Sequence, residues 1–281
     1  MHTPHRRYET ILLDTDAEGI TWITFNRPDK RNAMNPQLHY DMTDALTICE
    51  TDPATRLIVV TGAGSAWSAG QDLKEFFRGT DGDAEAQFRS FSAVKRWSWD
   101  LLANSRKPHI AMVNGYCFGG AWNALCNFDI VVAAEEATFG LPEVNWGIIP
   151  GGIVGKMVNE LMPFRDALFY SMTGRTFDGR KAVELKLANL AVPLSQLREE
   201  TLKLARELLE KDPVVLAYTK QCIRAVRTMD VPQAFEYLNA KLQALRFADR
   251  NRTRDRGIAE FIDNKSYKPA FEVVKDRPGE R

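Results

Sequence analysis

The chain has 281 residues, of which 44% are hydrophobic and 26% are charged, a composition typical of a folded globular protein. Its 37 basic residues balance its 37 acidic ones, which argues against a nucleic-acid-binding protein because such proteins usually carry a basic excess. No apolar run reaches the roughly 18 residues that a membrane span requires, and the N-terminus lacks the apolar core of a signal peptide. We therefore expect a cytoplasmic protein without a nucleic-acid or membrane partner.

Up to about residue 153, short β-rich runs alternate with amphipathic segments. The runs 8–14 and 20–25 flank the turn-like sequence DAEG and predict a hairpin. Pro36 then opens a predicted helix that reaches about Glu50. Further along, buried strands are predicted at 57–62, 109–115 and 130–134, with a helix at 84–104. This alternation predicts βαβ units and a largely parallel sheet.

Beyond residue 153 the pattern becomes helical, and the one clear strand-like run is 188–193. Helices are predicted over 196–211, 213–229, 231–248 and 253–263. The sequence therefore predicts an α/β core over residues 1–195 and a helical extension over 196–281. Because no linker separates them, we expect both to belong to the same overall domain.

Two glycine-containing loops stand out in the core. SAGQDL comes after the predicted strand LIVVTG, and CFGGAWNAL comes after IAMVNG. Ligands of α/β folds bind at the carboxyl ends of parallel strands, where such loops could aim two backbone N–H groups at one oxygen. The alternative, that Gly70, Gly119 and Gly120 only make tight turns, stays open. Neither loop fits the common phosphate-binding or dinucleotide-binding glycine patterns.

The stretch FGLPEVNWGIIPGG, residues 139–152, holds a single acid, Glu143. Burial among Leu141, Pro142, Val144 and Trp146 would raise the pKa of Glu143 by desolvation. A carboxyl group with a pKa nearer neutrality is better at both accepting and donating a proton. The alternative is a loop acid that turns outward to solvent.

The segments NRPDKRNAMN, SAGQDLKEF and GYCFGGAWNALCNFDIVVAAEEATFGLPEVNWGIIPG occur in an order and at a spacing that resembles the crotonase (enoyl-CoA hydratase/isomerase) superfamily. Within it, WSAGQDLKEFF, PEVNWGIIPGG and MTGRTFDG are most similar to the hydroxycinnamoyl-CoA hydratase-lyases, also called feruloyl-CoA hydratase/lyases. Those enzymes convert a hydroxycinnamoyl-CoA to a hydroxybenzaldehyde and acetyl-CoA. The resemblance implies a crotonase-like spiral of ββα and βαβ units, with a C-terminal helical region that forms the contacts of a homotrimer or of a hexamer built from two trimers.

The resemblance also implies roles for individual residues. The backbone N–H groups of Gln71 and Gly120 would bind the thioester oxygen, and Glu143 would transfer protons. A second position where acids recur in the superfamily falls on Asn123. Residues implied to contact the acyl-CoA substrate are Lys30, Ala69, Leu73, Phe76, Trp146, Gly147, Tyr237 and Asn239. No metal and no separate cofactor is implied, because CoA is part of the substrate.

Four positions depart from the hydratase-lyase pattern. Phe76 and Asn239 fall where that family carries tyrosines near a phenol, and Tyr237 lies two residues from the second position. Gln71 replaces the usual Met, and Asn123 replaces the usual Ser. These departures predict a methoxylated, non-phenolic or non-aromatic acyl group, and they leave open an enzyme that hydrates or isomerises without cleavage. A catalytically silent acyl-CoA-binding subunit is a third reading, disfavoured by the retained acid and glycine loops.

The sequence leaves two possible roles open for three sets of residues: three tryptophans, three basic residues and Asn123. Trp97, Trp99 and Trp122 could line the acyl pocket, but their helical spacing favours core packing. The basic residues Arg27, Lys30 and Arg31 could bind CoA phosphates or could simply face solvent. Asn123 could orient water or substrate, or could bond the backbone of its own helix.

Overall fold

Two β-sheets of different size organise the first part of the chain. The computed structural model describes residues 7–265, whose chain contacts divide into a first unit that ends at Lys211 and a second that begins at Asp212. The strands of the first unit are β1 (Ile11–Thr15), β2 (Ile20–Phe25), β3 (Leu57–Gly62), β4 (Ala66–Ser68), β5 (His109–Val113), β6 (Tyr116–Phe118), β7 (Ile130–Ala134), β8 (Thr138–Gly140), β9 (Thr176–Asp178) and β10 (Leu190–Val192).

The large sheet has six strands in the order β1-β2-β3-β5-β7-β10. β1 and β2 form the predicted antiparallel hairpin, and the remaining neighbours are parallel. The small sheet has four strands in the order β4-β6-β8-β9, of which β4, β6 and β8 run parallel and β9 runs antiparallel to β8.

The chain visits the two sheets in turn. β3 leads into β4, β5 into β6 and β7 into β8, so each successive turn adds one strand to each sheet. This repetition winds the first unit into a spiral and confirms the predicted α/β class. β3 and β5 are buried along their whole length, as their continuous apolar sequences indicated.

Helices fill the connections and the C-terminal part. They are α1 (Pro36–Thr51), α2 (Ala84–Lys95), α3 (Leu102–Asn104), α4 (Trp122–Leu125), α5 (Val154–Leu161), α6 (Phe164–Thr173), α7 (Gly179–Glu184), α8 (Leu197–Leu209), α9 (Pro213–Val226), α10 (Val231–Ala248) and α11 (Thr253–Ile262). α1 begins where predicted because Asn35 accepts a hydrogen bond from the Leu38 N–H and Pro36 occupies the first turn.

The predicted helix 84–104 is continuous but not uniform. α2 ends at Lys95, a π-helical turn covers Arg96–Leu101, and α3 follows. The apolar spacing of the segment gave no sign of this wider turn, which holds the fully buried Trp97. Such turns are frequent near functional sites.

α8 packs on β5 and β7 of the first unit, although the sequence-based division at 195/196 grouped it with the helical extension. Its residues Leu197, Thr201 and Ala205 are buried. The second unit comprises α9, α10 and α11, and α9 and α10 pack against each other. Across residues 7–265, none of the helices combines the length and the apolar character that a bilayer crossing demands.

Candidate active site

The small sheet places three loops at one edge. Because β4, β6 and β8 are parallel neighbours, their carboxyl ends, at Ser68, Phe118 and Gly140, lie side by side. The sequence prediction put the two glycine loops directly after the long strands 57–62 and 109–115. In the structure a three-residue strand of the small sheet intervenes each time, and strands this short show no recognisable periodicity.

A cavity of about 750 Å³ opens at this edge, within the first unit. Nine of the twelve predicted site residues line it: Ala69, Gln71, Leu73, Phe76, Gly120, Asn123, Glu143, Trp146 and Gly147. The remaining three, Lys30, Tyr237 and Asn239, are not among the lining residues. Lys30 is exposed on a short 3-10 turn, and the other two belong to α10 in the second unit, so their roles stay predictions.

Within residues 7–265, the backbone N–H of Gln71 has no hydrogen-bond acceptor and can bind a ligand. On either side of it, the Met34 N–H donates to the Gly70 carbonyl and the Asp72 N–H donates to the Met34 carbonyl. Since successive backbone groups of an extended segment alternate in direction, the Gln71 N–H points away from Met34.

The Gly120 N–H likewise has no acceptor in the part of the chain that the structure describes. Gly120 is the second residue of the 3-10 turn Gly119–Ala121, and the first N–H groups of a helical turn have no partner within that turn. Gly70 brings the two donors together: it has φ +94°, and a Cβ there would lie 2.6 Å from the Phe118 carbonyl oxygen and 3.3 Å from the Gly120 nitrogen. The two loops thus touch backbone to backbone, which requires glycine.

Glu143 lies in the 3-10 turn Pro142–Trp146 and is only 7% exposed. Its Oε2 atom is buried and has no hydrogen-bond partner among the described residues, and Oε1 lies next to Gly119. Burial raises the pKa of Glu143 above its ordinary value, as expected from the sequence. The alternative of an outward-facing acid is therefore wrong.

Two of the four neighbours predicted to bury Glu143 are exposed. Val144 is 44% exposed and Trp146 is 61% exposed, so neither provides the expected apolar cover. The carboxyl group of Glu143 lies against Gly119, with Oε1 3.3 Å from the position that a Gly119 Cβ would occupy, and Leu141 is buried.

Asn123 at the start of α4 is buried, and both of its polar atoms bond the backbone. Its Nδ2 donates to the Gly120 carbonyl at 3.1 Å, and its Oδ1 accepts from the Ile153 N–H at 3.0 Å. The side chain therefore ties the Gly120 loop to the segment that follows Glu143. These bonds favour a bracing role over one in orienting water.

An apolar wall completes the cavity. Phe76 is buried and packs edge-to-face on Phe91, with ring centres 5.1 Å apart. The three tryptophans considered as pocket residues belong to the hydrophobic core instead. Trp97 and Trp122 are fully buried in it, and Trp99 packs against it.

His39 was not among the candidate site residues predicted from the sequence. His39 is fully buried on α1, where its Nδ1 accepts a hydrogen bond from Trp97 Nε1 at 2.9 Å. Its Nε2 lies 2.8 Å from Gln71 Oε1. Because an indole N–H can only donate, Nδ1 is the acceptor and Nε2 carries the proton. Burial lowers the pKa of His39 to about 4, which keeps the ring neutral.

The basic cluster divides into separate roles. Arg27 bonds Asp72 at 2.9 Å and Glu75 at 2.7 Å, so it fixes the loop after Gln71. Arg31 stacks over the Tyr116 ring at 5.2 Å from its centre. Phosphate binding by this cluster stays a prediction, although Arg27 is engaged in ion pairs with Asp72 and Glu75.

Known proteins share both the sequence and the fold. The family model described as enoyl-CoA hydratase/isomerase matches residues 15–272. A hydroxycinnamoyl-CoA hydratase-lyase of Pseudomonas fluorescens is 46% identical over 276 residues, which cover 98% of this chain and 100% of that relative. A probable enoyl-CoA hydratase of Mycobacterium bovis is 30% identical, with 92% of this chain and 97% of the relative covered.

Among solved structures, that of enoyl-CoA hydratase subunit I from Geobacillus kaustophilus matches with a TM-score of 0.82 and 28% identity, covering 95% of this chain and 99% of that one. The human enoyl-CoA hydratase domain-containing protein 3 has the same TM-score at 24% identity, covering 94% and 100%, and supports the fold alone. The motifs, the spiral and these matches agree: the chain belongs to the enoyl-CoA hydratase/isomerase family, the crotonase superfamily.

Proposed function

We propose that this protein hydrates a hydroxy- or methoxycinnamoyl-CoA, such as feruloyl-CoA, and then cleaves the product to an aromatic aldehyde and acetyl-CoA. One observation carries the proposal: Glu143, a buried acid whose Oε2 atom has no hydrogen-bond partner within residues 7–265, lines the same cavity as the backbone N–H groups of Gln71 and Gly120. The similarity to the Pseudomonas hydroxycinnamoyl-CoA hydratase-lyase supports the choice of substrate.

In the hydration step, the Glu143 carboxylate accepts a proton from water as the water oxygen bonds to the β-carbon of the enoyl thioester. The electron pair of the double bond moves toward the thioester oxygen, where the Gln71 and Gly120 N–H groups stabilise it. Glu143 then gives the proton that it took from water to the α-carbon, which restores its carboxylate and completes the addition of water. Removing one such preorganised donor from an enzyme typically lowers kcat by about 10²–10³-fold.

In the cleavage step, Glu143 accepts the proton of the β-hydroxyl group. The bond between the α- and β-carbons breaks, the β-carbon leaves as the aldehyde, and its bonding electrons form the enolate of acetyl-CoA. The same two N–H groups hold the enolate oxygen until the α-carbon is protonated. We propose that no metal or separate cofactor takes part, so activity should survive dialysis against a chelator.

The residues of the cavity wall indicate which acyl group the site can accept. Phe76, Phe77, Phe91 and Phe118 offer aromatic surface to a ring, but they carry no hydroxyl group for a phenol. A free phenol without a partner would cost about 1–3 kcal/mol, so a methoxylated or non-phenolic ring fits the wall better. The same absence of a phenol partner on this wall supports a second candidate, hydration or isomerisation of another enoyl-CoA without cleavage.

The coenzyme end and the assembly are further parts of the proposal. Lys30 and the backbone of Ala69 and Leu73 would contact CoA, with Tyr237 and Asn239 near the acyl group. We also propose that the protein works in the cytoplasm as a homotrimer or hexamer. Exposed apolar residues on α10, such as Val231, Phe235 and Phe247, support self-association, which light scattering of the purified chain would test.

The proposed reaction is tested with feruloyl-CoA, its O-methylated analogue and a short-chain enoyl-CoA. Loss of the enoyl absorbance is followed together with aldehyde and acetyl-CoA release. Aldehyde formation from either aryl substrate is the expected result. Accumulation of a stable β-hydroxyacyl-CoA would support the second candidate, and no turnover of any of the three would contradict both.

A further inference from the structure

The side chain of Gln71 lies beside the two backbone donors of the cavity. If Gly120 carried a Cβ, that atom would lie 2.5 Å from Gln71 Cγ and 3.1 Å from Gln71 Nε2. The carboxamide of Gln71 therefore covers the Cα of Gly120, next to the N–H group proposed to bind the thioester oxygen. Gln71 thus offers two donors near this point, its backbone N–H and its side-chain NH₂.

His39 determines which end of this carboxamide faces the cavity. Trp97 donates to His39 Nδ1, and His39 Nε2–H donates to Gln71 Oε1. The Trp97 indole therefore fixes the His39 tautomer, and the tautomer fixes the orientation of the Gln71 amide. With the oxygen held by His39, the NH₂ group is the end left for a ligand.

This NH₂ group has no acceptor among the described residues 7–265, and Gln71 lines the cavity. The polar atoms of nearby Asn123 are committed to the backbone, since Nδ2 donates to the Gly120 carbonyl and Oδ1 accepts from the Ile153 N–H. In a cavity whose wall is mainly aromatic and aliphatic, an oriented donor of this kind favours a ligand oxygen.

We propose that the Gln71 side-chain amide, held by His39, is a third hydrogen-bond donor to the thioester oxygen of the bound acyl-CoA. The inference rests on the proposed function, because it extends the pair of backbone donors assigned there. His39 acts as a positioning residue, and it contacts the substrate only through Gln71. Met, the residue usual at this position in the hydratase-lyases, would fill the space without supplying a donor.

The test uses the full-length chain in a Glu143→Gln background, where bound feruloyl-CoA is not turned over. Donors at the thioester oxygen polarise the conjugated acyl group and shift its absorption to longer wavelength. We expect this shift on binding, a smaller shift when Gln71→Met is added, and the smallest with Gln71→Glu, which keeps an acceptor for His39 but turns an acceptor toward the ligand. His39→Phe should also reduce the shift, because the amide is no longer held.

Kinetics with Glu143 restored give a second readout. Gln71→Met should lower kcat about tenfold with little change in KM, less than the loss of a rigid backbone donor. Gln196→Met, at an exposed glutamine, is the matched control and should leave both kcat and the shift unchanged. Thermal unfolding of each variant separates loss of the donor from loss of folding.

The outcomes are distinguishable. A shift in the parent that Gln71→Met leaves unchanged would overturn the third donor and leave the proposed function intact. No shift in the parent, with or without binding of feruloyl-CoA, would overturn the third donor and the backbone donor pair together. A shift reduced by Gln71→Met and unaffected by Gln196→Met would support the inference.

Discussion

The six-stranded and four-stranded sheets differ in what their strands carry. Strands β3 and β5 of the large sheet are buried along their length, and no cavity-lining residue lies on any strand of that sheet. The strands of the small sheet have three residues each, and the loops after β4, β6 and β8 hold Gln71, Gly120 and Glu143. The spiral thus stabilises one layer with long apolar strands and uses the other to position reactive groups, so substitutions in the two layers should have separable effects.

The largest effect is expected from Glu143→Gln in the small-sheet layer. The amide cannot accept the proton of water or of the β-hydroxyl group, so hydration and cleavage should both fall by roughly 10²–10⁴-fold. Enoyl absorbance and aldehyde release measure the two steps. Glu207→Gln, at an exposed glutamate, is the control and should be neutral. Undiminished rates of hydration and cleavage in Glu143→Gln would contradict the proposed role of Glu143 in proton transfer.

The next largest loss of activity is expected from Gly70→Ala. The new Cβ would lie 2.6 Å from the Phe118 carbonyl oxygen, which forces the two donor loops apart and should lower kcat by about 10²-fold or more. Gly82→Ala is a matched control, because Gly82 also has positive φ but has no atom within 4 Å of its Cβ position. Equal activity of the two alanine variants would contradict the close contact of the loops.

A substitution in the large sheet should show the opposite behaviour. Ile110 on β5 is fully buried, and Ile110→Ala should lower the free energy of unfolding by about 2–5 kcal/mol through lost contacts and a cavity. Its kcat, measured at a temperature where the variant stays folded, should remain near that of the parent. Denaturant unfolding measures the loss of stability, and steady-state kinetics measures kcat. A large fall in kcat of the folded variant would mean that the layers are not separable.

Asn123→Ala should give a mixed result, because Asn123 joins two loops of the site. Losing its bonds to the Gly120 carbonyl and the Ile153 N–H should destabilise the fold by about 1–3 kcal/mol and reduce kcat moderately. The control is Asn104→Ala, which removes one exposed side-chain bond to the Asp100 carbonyl. A fall in kcat without any loss of stability would favour direct contact with substrate instead.

The smallest expected effect is a gain in stability. Burial raises the pKa of Glu143 in the folded chain above its ordinary value of 4.5, so stability linked to this group is fully present below that value and is lost as pH rises through the folded pKa. Glu143→Gln removes this loss, and its Tm at pH 7 should exceed that of the parent. The difference should close as the pH approaches 4.5. A Tm gain that calorimetry detects only at acidic pH would have the opposite pH dependence. It would contradict the presence of a buried charge at Glu143.

The same contrast explains which features sequence could predict. Strands such as β3 and β5 are continuous apolar runs, and α1 and α10 begin at recognisable caps, so they were predicted closely. The three-residue strands of the small sheet carry too few residues for a pattern, and the π-helical turn around Trp97 leaves the apolar spacing intact. These features depend on long-range pairing, which a local pattern does not record.

The site shows a similar division. Glu143 and the glycine loops were predicted because their residue types are unusual in their context, and family resemblance supplied their roles. The link between His39 and Gln71 joins residues 32 positions apart, and no local motif marks it. The exposure of Val144 and Trp146 could not be predicted either, because it depends on the 3-10 turn Pro142–Trp146, which no local pattern marks.

A crystal structure of the Glu143→Gln variant with feruloyl-CoA tests the central claim most directly. We predict that the thioester oxygen lies about 3 Å from the backbone nitrogens of both Gln71 and Gly120, with the β-carbon facing the side chain at position 143. A thioester oxygen bound away from these nitrogens, or an acyl chain out of reach of position 143, would contradict the account.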